Sequence, residues 1–275
     1  MMAMLQTKIY RAAVYAGMMF SASVLVLIAG YILFKGVPHL TPELFAWEYN
    51  SNNVSMLPSI INTLLMTLLS MIVCVPLGIG AAIYLTEYAP RGSKLVKLIR
   101  MTSETLLGIP SVIYGLFGSL FFVVALKMGL SLLSGALTLS IMVLPTIMRT
   151  TEEALISVPD SYREGSFGLG AGRLRTTFKV VLPSAVPGIM SGIILAIGRI
   201  AGETAALIYT AGTVAKVPDS LFDSGRTLAV HMYAISTEGL HMDESYATAV
   251  VLLIMVFIIN SMSQFIARRI GGNKA

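Results

Sequence analysis

The sequence predicts an all-α integral membrane protein with six transmembrane helices and both termini in the cytoplasm. Three observations predict it. Only 12% of the 275 residues are charged and 56% are hydrophobic, where a soluble domain carries about 25% charge. Six apolar runs approach the roughly 20 residues a helix needs to cross about 30 Å of hydrocarbon. The basic residues are divided unequally among the loops that join those runs.

The runs cover roughly 14–34, 60–86, 104–126, 130–149, 184–211 and 247–267. The first is longer than the apolar region of a cleavable signal, and no small-residue cleavage site precedes a soluble domain, so it reads as a span. Only Lys127-Met128-Gly129 separates the third run from the fourth. Lipid supplies no hydrogen bonds, so each run closes its own backbone as a helix. The alternating ten-residue strands of a barrel are missing from the pattern.

Six spans put both termini on one side. That side holds 14 Lys and Arg residues: Lys8 and Arg11, Arg91 to Arg100, Arg149 to Lys179, and Arg268, Arg269 and Lys274. The opposite side holds four, Lys35, Lys127, Lys216 and Arg226, and Arg199 lies inside a span. The excess marks the cytoplasmic face. A net charge of +5 then reflects loops held against anionic headgroups and gives no reason to expect nucleic acid.

The single cysteine, Cys74, sits in an apolar run without neighbouring ligands, so neither an internal disulfide nor a metal site is expected. The three histidines, His39, His231 and His241, read as surface loop residues. Two external loops are substantial. Residues 36–59 carry Pro38, Pro42, Trp47 and Pro58; residues 212–246 carry five acids. They suit docking of an external protein and plain solvated connection equally well. Trp47 suits an interfacial anchor or packing within its own loop, the first being the milder reading.

The segment 150–183 is the most informative loop, because a connection of this length usually has a task. Pro159-Asp160-Ser161 signals a helix start, with Asp160 or Ser161 as N-cap. That helix runs to Phe167. Gly168-Leu169-Gly170-Ala171-Gly172 breaks it, a second helical stretch covers 173–181, and Pro183 opens the fifth span. The glycine run follows no strand, and the chain has no Gly-Lys dipeptide, so it carries no Walker A site. If ATP drives this protein, another subunit hydrolyses it.

Glu164-Gly165-Ser166, three residues, Gly170, nine residues, then Val180-Val181-Leu182-Pro183 resembles the EAA loop of ABC importer permeases. The family pattern is Glu-Ala-Ala, three residues, Gly, nine residues, Ile, any residue, Leu-Pro. Every spacing agrees. Gly165 and Ser166 replace the alanines and Val180 replaces the isoleucine, all small or apolar. The resemblance implies a type I ABC importer permease whose loop, through Glu164, Gly165, Ser166, Gly170, Val180, Leu182 and Pro183, couples to an ATPase subunit.

The fifth span contains Arg199 and Glu203. A charge inside a span is costly, roughly 2.5–3.5 kcal/mol on insertion scales, and marks a functional hypothesis. Read as one helix, Arg199 and Glu203 are i, i+4 neighbours, and Gly188 and Gly192 share their stripe, where small residues admit another helix. A guanidinium presents a fork of donors matched to a tetrahedral oxyanion. Two roles stay open: an anion pathway in which Glu203 offsets Arg199, or a structural ion pair that fixes packing. The acid follows the base, the weaker helical order for a bridge.

Gly198-Arg199-Ile200-Ala201-Gly202-Glu203-Thr204-Ala205-Ala206-Leu207 resembles the Arg-x-x-Gly-Glu-Thr signature of phosphate ABC permeases. Pro110-Ser111-Val112-Ile113-Tyr114-Gly115-Leu116-Phe117-Gly118 resembles a second signature of that family, and Met232-Tyr233 with Glu238-Gly239 resembles the late external loop of its PstA-type subunit. The resemblance covers about residues 55–267 of a single permease domain. It implies a bacterial or archaeal plasma (inner) membrane complex with a PstC-type permease, two PstB-type ATPase subunits that use ATP and Mg, and an external PstS-type phosphate-binding protein. No cofactor or metal is expected in this chain. Ser111, Tyr114 and Thr204 are candidate hydroxyl donors along the route, although span hydroxyls more often bond a nearby carbonyl. Competing readings are a permease for sulfate or molybdate, a secondary transporter that uses Glu203, and a structural membrane subunit. A membrane hydrolase lacks its intramembrane His or paired carboxylates.

Overall fold

A computed structural model describes residues 2–90 and 92–270. Of the basic residues counted above, Arg91 and Lys274 lie outside them. The described chain is helical, without a strand. Five helices are long and apolar enough to cross a membrane, and a bent pair supplies a sixth.

α1 (Met2–Gly36) is one long helix that exposes nearly all of its apolar surface and packs only on the last helix. Gly36 makes that contact: a Cβ there would fall on the Tyr246 carbonyl. Tyr31 and Tyr246 meet edge to face at 5.9 Å. α2 (Leu57–Ile83) places Pro58 in its first turn, where the missing N–H costs nothing. It ends in a π-helical turn, Tyr84–Tyr88.

The third span is not the straight helix expected over 104–126. α3 (Lys94–Leu107) meets α4 (Ser111–Gly118) and its π-helical continuation, Ser119–Ala125, at 104°. The cause is local. Pro110 lacks an N–H and pushes Ile109 out of the helical region, and Gly108 before it already ends α3. α3 carries Lys94, Lys97, Arg100 and Glu104 beside its apolar residues. It docks on the helix Leu132–Ile156 through the pairs Arg100–Glu152 and Glu104–Arg149, the latter at 3.5 Å.

α5 (Leu132–Ile156) is the centre of the bundle and the most buried helix. It runs seven residues beyond the expected end at 149, because Thr151, Glu152, Ala154 and Leu155 are also buried. α2, α3, α4 and α8 pack around it. α6 (Asp160–Gly168) and α7 (Arg173–Thr176) form a hairpin. Asp160 is the first helical residue and Pro159 the cap, so neither Asp160 nor Ser161 caps by its side chain. α7 then runs without interruption through a π-helical turn, Thr177–Val181, into α8 (Leu182–Ala201). Pro183 therefore lies within a continuous helix. A π-turn just upstream absorbs the missing hydrogen bond.

The fifth span also breaks. α8 stops at Ala201, and α9 (Ala205–Thr210) follows after Gly202-Glu203-Thr204. α10 (Leu228–Glu238) lies in the loop before the last span, α11 (Met242–Ile270).

Glycines set how closely the helices approach. A Cβ at Gly192 would fall on Thr150, and one at Gly188 would come within 2.6 Å of the Ala154 Cβ. The stripe expected to face protein does so, against α5. Gly192→Leu is accordingly expected to overpack the α5–α8 seam, costing about 1–3 kcal/mol. A lowered midpoint in a detergent melting curve checks this; an unchanged midpoint counts against the seam.

Candidate functional site: a broken helix and a loop hairpin

Two places gather the residues singled out above. The first is the break after α8. Arg199 stands in the last turn of α8, half-buried, where the helix dipole favours a cation. Glu203 lies beyond the helix end, only 9% exposed, and its Oε1 accepts the Ala206 N–H at 3.1 Å. It thus caps α9 rather than lying one turn above Arg199 on a continuous helix. Arg199 takes part in none of the ion pairs formed among the described residues. Glu203, four positions on in sequence, is committed to α9.

The two sequence signatures pack against each other here. A Cβ at Gly115 would meet the Ala206 Cα at 2.8 Å, and one at Gly118 would fall on Thr138 and reach Thr210 at 2.9 Å. α4 and α9 therefore touch backbone to backbone. Ser111 and Thr204 flank this contact, both half-buried, at the starts of α4 and α9. Tyr114 is 5% exposed, and its hydroxyl donates to the Leu106 carbonyl at 2.8 Å, tying α4 to the end of α3. That bond occupies the proton that a passing anion would need.

Asn260 was not apparent from the sequence as a site residue. A Cβ at Gly198 would lie 3.7 Å from its amide, and its Oδ1 is buried without a partner. The signal was an amide inside the apolar sixth run.

The second place is the α6–α7 hairpin. Gly170 has φ of +80°, a left-handed conformation that any other L residue adopts with strain. Gly170→Ala is expected to destabilise the hairpin by about 1 kcal/mol. Hydrogen exchange of residues 160–176 reads this as faster opening, and an unchanged rate counts against it. Ser166 and Thr176 hydroxyls bond at 2.8 Å across the turn. Glu164 and Gly165 are exposed, as are the large side chains of Tyr162, Phe167, Leu169 and Leu174. Val180, Leu182 and Pro183 lie on the helix that rises into α8.

One cation holds this hairpin to the bundle. Arg163 Nη2 bonds Glu87 Oε1 at 2.7 Å, and its nitrogens also donate to the Val158 and Leu155 carbonyls at 2.8 and 2.9 Å. The two side chains are only 15% and 9% exposed. Glu87 belongs to the π-turn closing α2, and neighbouring Tyr88 lies under Arg173 at 5.3 Å. α6 and α7 thus both lean on the C-terminal end of α2. Neither Glu87 nor Arg163 was singled out from the sequence. The pair spans 76 positions, and no local pattern shows it.

A helical bundle with a hairpin held below it and a broken helix inside it is the architecture of a transport subunit. Residues 74–272 match the family of binding-protein-dependent transport system inner membrane components, and the chain belongs to it. It is 34% identical over 267 residues to the probable ABC transporter permease protein YqgI of Bacillus subtilis, covering 90% of each chain. It is 32% identical to the phosphate transport system permease protein PstC of Mesorhizobium japonicum, covering 86% of this chain and 79% of that one. Identity is also 32% to the phosphate transport system permease protein PstA of Pasteurella multocida, covering 83% and 82%. Among solved structures, a chain of a bacterial alginate ABC transporter superposes with a TM-score of 0.66 at 17% identity, covering 96% of this chain and 97% of that one. These relatives are permeases, so the chain's work is passage rather than catalysis.

Proposed function

We propose that this chain is the PstA-type permease subunit of an ATP-driven phosphate importer, set in a bacterial or archaeal plasma membrane with both termini in the cytoplasm. One observation carries the reading. The two segments resembling phosphate-permease signatures pack against each other at a helix break, beside an arginine that pairs with no carboxylate. Relatives named as phosphate permeases add to it. The late external loop favours the PstA type.

In this reading a PstC-type subunit completes the pathway, and an external phosphate-binding protein delivers the anion. Two ATPase subunits, which hold ATP and Mg, receive the exposed Tyr162, Phe167, Leu169 and Leu174. Their closure pushes the hairpin, and the Arg163–Glu87 pair passes that movement to α2. Arg199 offers a fork of donors to the oxyanion in transit. Glu203 occupies one N-terminal donor of α9, the Ala206 N–H, which would otherwise attract the anion. Ser111 and Thr204 line the same contact.

Cells deprived of their own phosphate permease pair test the proposal. Supplied with this chain and its partner subunits, they are expected to regain phosphate uptake at low external phosphate. Regained sulfate or molybdate uptake instead, with the complex assembled, would transfer the assignment to that oxyanion.

A further inference from the structure

The external end of the bundle contains a second cation that the proposed pathway has not used. Arg226 is 5% exposed and forms no ion pair among the described residues. Its guanidinium lies over the Tyr49 ring, 4.5 Å from the centroid, and its Nε and Nη2 have no hydrogen-bond partner. A buried charge without compensation is strongly unfavourable. Backbone bonds nevertheless fix it. The Arg226 N–H donates to the Val214 carbonyl at 3.0 Å, and its carbonyl accepts Asn62 Nδ2 at 3.1 Å.

The surroundings are rich in unused polar atoms and contain no buried acid among these contacts. Ser59 Oγ, Asn62 Oδ1 and Thr227 Oγ1 belong to residues at most 1% exposed, and none has a partner. They are held together across two helices, since Thr63 Oγ1 on α2 accepts the Leu228 N–H at 2.8 Å. Asn62 also donates to the Lys216 carbonyl at 2.9 Å. With its NH₂ committed to two carbonyls, Asn62 presents its oxygen as an acceptor. His231 packs edge to face on Tyr49 at 6.0 Å. Burial, with Arg226 beside it, pushes the His231 imidazole down to about 3. The ring is neutral, and Arg226 is the cation of the cluster.

An open pocket of about 380 Å³ lies beside the cluster; its walls include Tyr49 and Lys216, which touch the cluster, and the acids Glu48 and Asp219. The geometry points to an oxyanion site at the external mouth, in which the Arg226 guanidinium and the Ser59 and Thr227 hydroxyls hold a phosphate-like anion while Asn62 accepts its proton. The acceptor gives selectivity. Phosphate carries a proton at neutral pH and sulfate does not, so Asn62 Oδ1 favours the former. The identity of the anion rests on the phosphate reading; the need for an anion rests on Arg226 alone.

Equilibrium binding of labelled inorganic phosphate to the purified full chain in a neutral, phospholipid-free detergent tests this site without transport. Headgroups are then excluded as the source of the phosphate. Saturable binding is expected for the unmodified chain. At least a tenfold loss is expected for Arg226→Gln, whose melting temperature in phosphate-free buffer stays level or rises because an unpaired buried charge is gone. Phosphate is expected to raise the melting temperature of the unmodified chain and leave that of Arg226→Gln unchanged. Asn62→Leu is expected to bind sulfate and phosphate alike. Unchanged phosphate binding by Arg226→Gln, or no saturable binding by the folded unmodified chain, would overturn the site. Binding that survives while assembled complexes fail to carry phosphate would overturn the transport reading and leave this one standing.

Discussion

Arg199→Gln is expected to lower ATP-driven phosphate uptake by about 100-fold in an assembled complex. Arg199 is half-buried at the end of α8, and Glu203, the one acid nearby in sequence, caps α9. The guanidinium is thus available to an anion. A hydrogen bond to a charged group contributes roughly 1.5–3 kcal/mol. Losing a bidentate contact therefore removes about 3 kcal/mol, which is about two powers of ten. Glutamine keeps the length and some donors but loses the charge, so folding is largely spared. Arg199→Lys is expected to retain partial uptake, because it keeps the charge and loses the fork. Uptake assays with co-purification of the partner subunits separate transport from assembly. Full uptake by Arg199→Gln would make Arg199 a packing charge.

Glu87→Gln is the second large effect. It removes the carboxylate that Arg163 Nη2 meets at 2.7 Å in a mostly buried pair. Leaving one member of a buried pair alone costs about 3–5 kcal/mol; Arg163 keeps the exposed Asp160 at 3.3 Å, so the loss here is smaller. Arg163 keeps the Val158 and Leu155 carbonyls, so the hairpin stays near its place but loses its hold on α2. The expected result is uncoupling: the partner ATPases still hydrolyse ATP while phosphate uptake falls at least tenfold. Equal loss of hydrolysis and uptake would show that the pair serves assembly alone. Exchanging the charges, Glu87→Arg with Arg163→Glu, is expected to recover part of the uptake.

Much of the fold is legible in the sequence because lipid imposes a simple rule. An apolar run of sufficient length closes its own hydrogen bonds. The first, second, fourth and sixth spans follow from that rule alone. The EAA spacing likewise marks the hairpin, with Gly170 at its left-handed turn. What the runs conceal is where a helix bends. Gly108-Ile109-Pro110 and Gly202-Glu203-Thr204 are as compatible with an apolar run as with a break, and each turned out to be a break. The second changes the chemistry, since it takes Glu203 off the Arg199 face. Pro110 was a visible warning, while Gly202 was a weak one.

The remaining features are tertiary. Glu87 and Arg163, 76 positions apart, meet only after α6 folds back beneath α2. Arg226 counts in the sequence merely as one of four external basic residues, and His231 as a loop histidine. The fold buries both against Tyr49. Hydropathy and charge counts record residue types, whereas burial of a cation away from any acid depends on which loops close over it.

The central claim, that this permease carries phosphate under ATP, is tested most directly in vesicles. The chain is reconstituted with its partner permease, ATPases and binding protein, and labelled-phosphate uptake is measured against excess sulfate or molybdate. The proton gradient is collapsed throughout. The account predicts uptake that requires ATP, persists without the gradient and resists both competitors. Uptake driven by the gradient without ATP, or suppressed by sulfate or molybdate as strongly as by unlabelled phosphate, would contradict it.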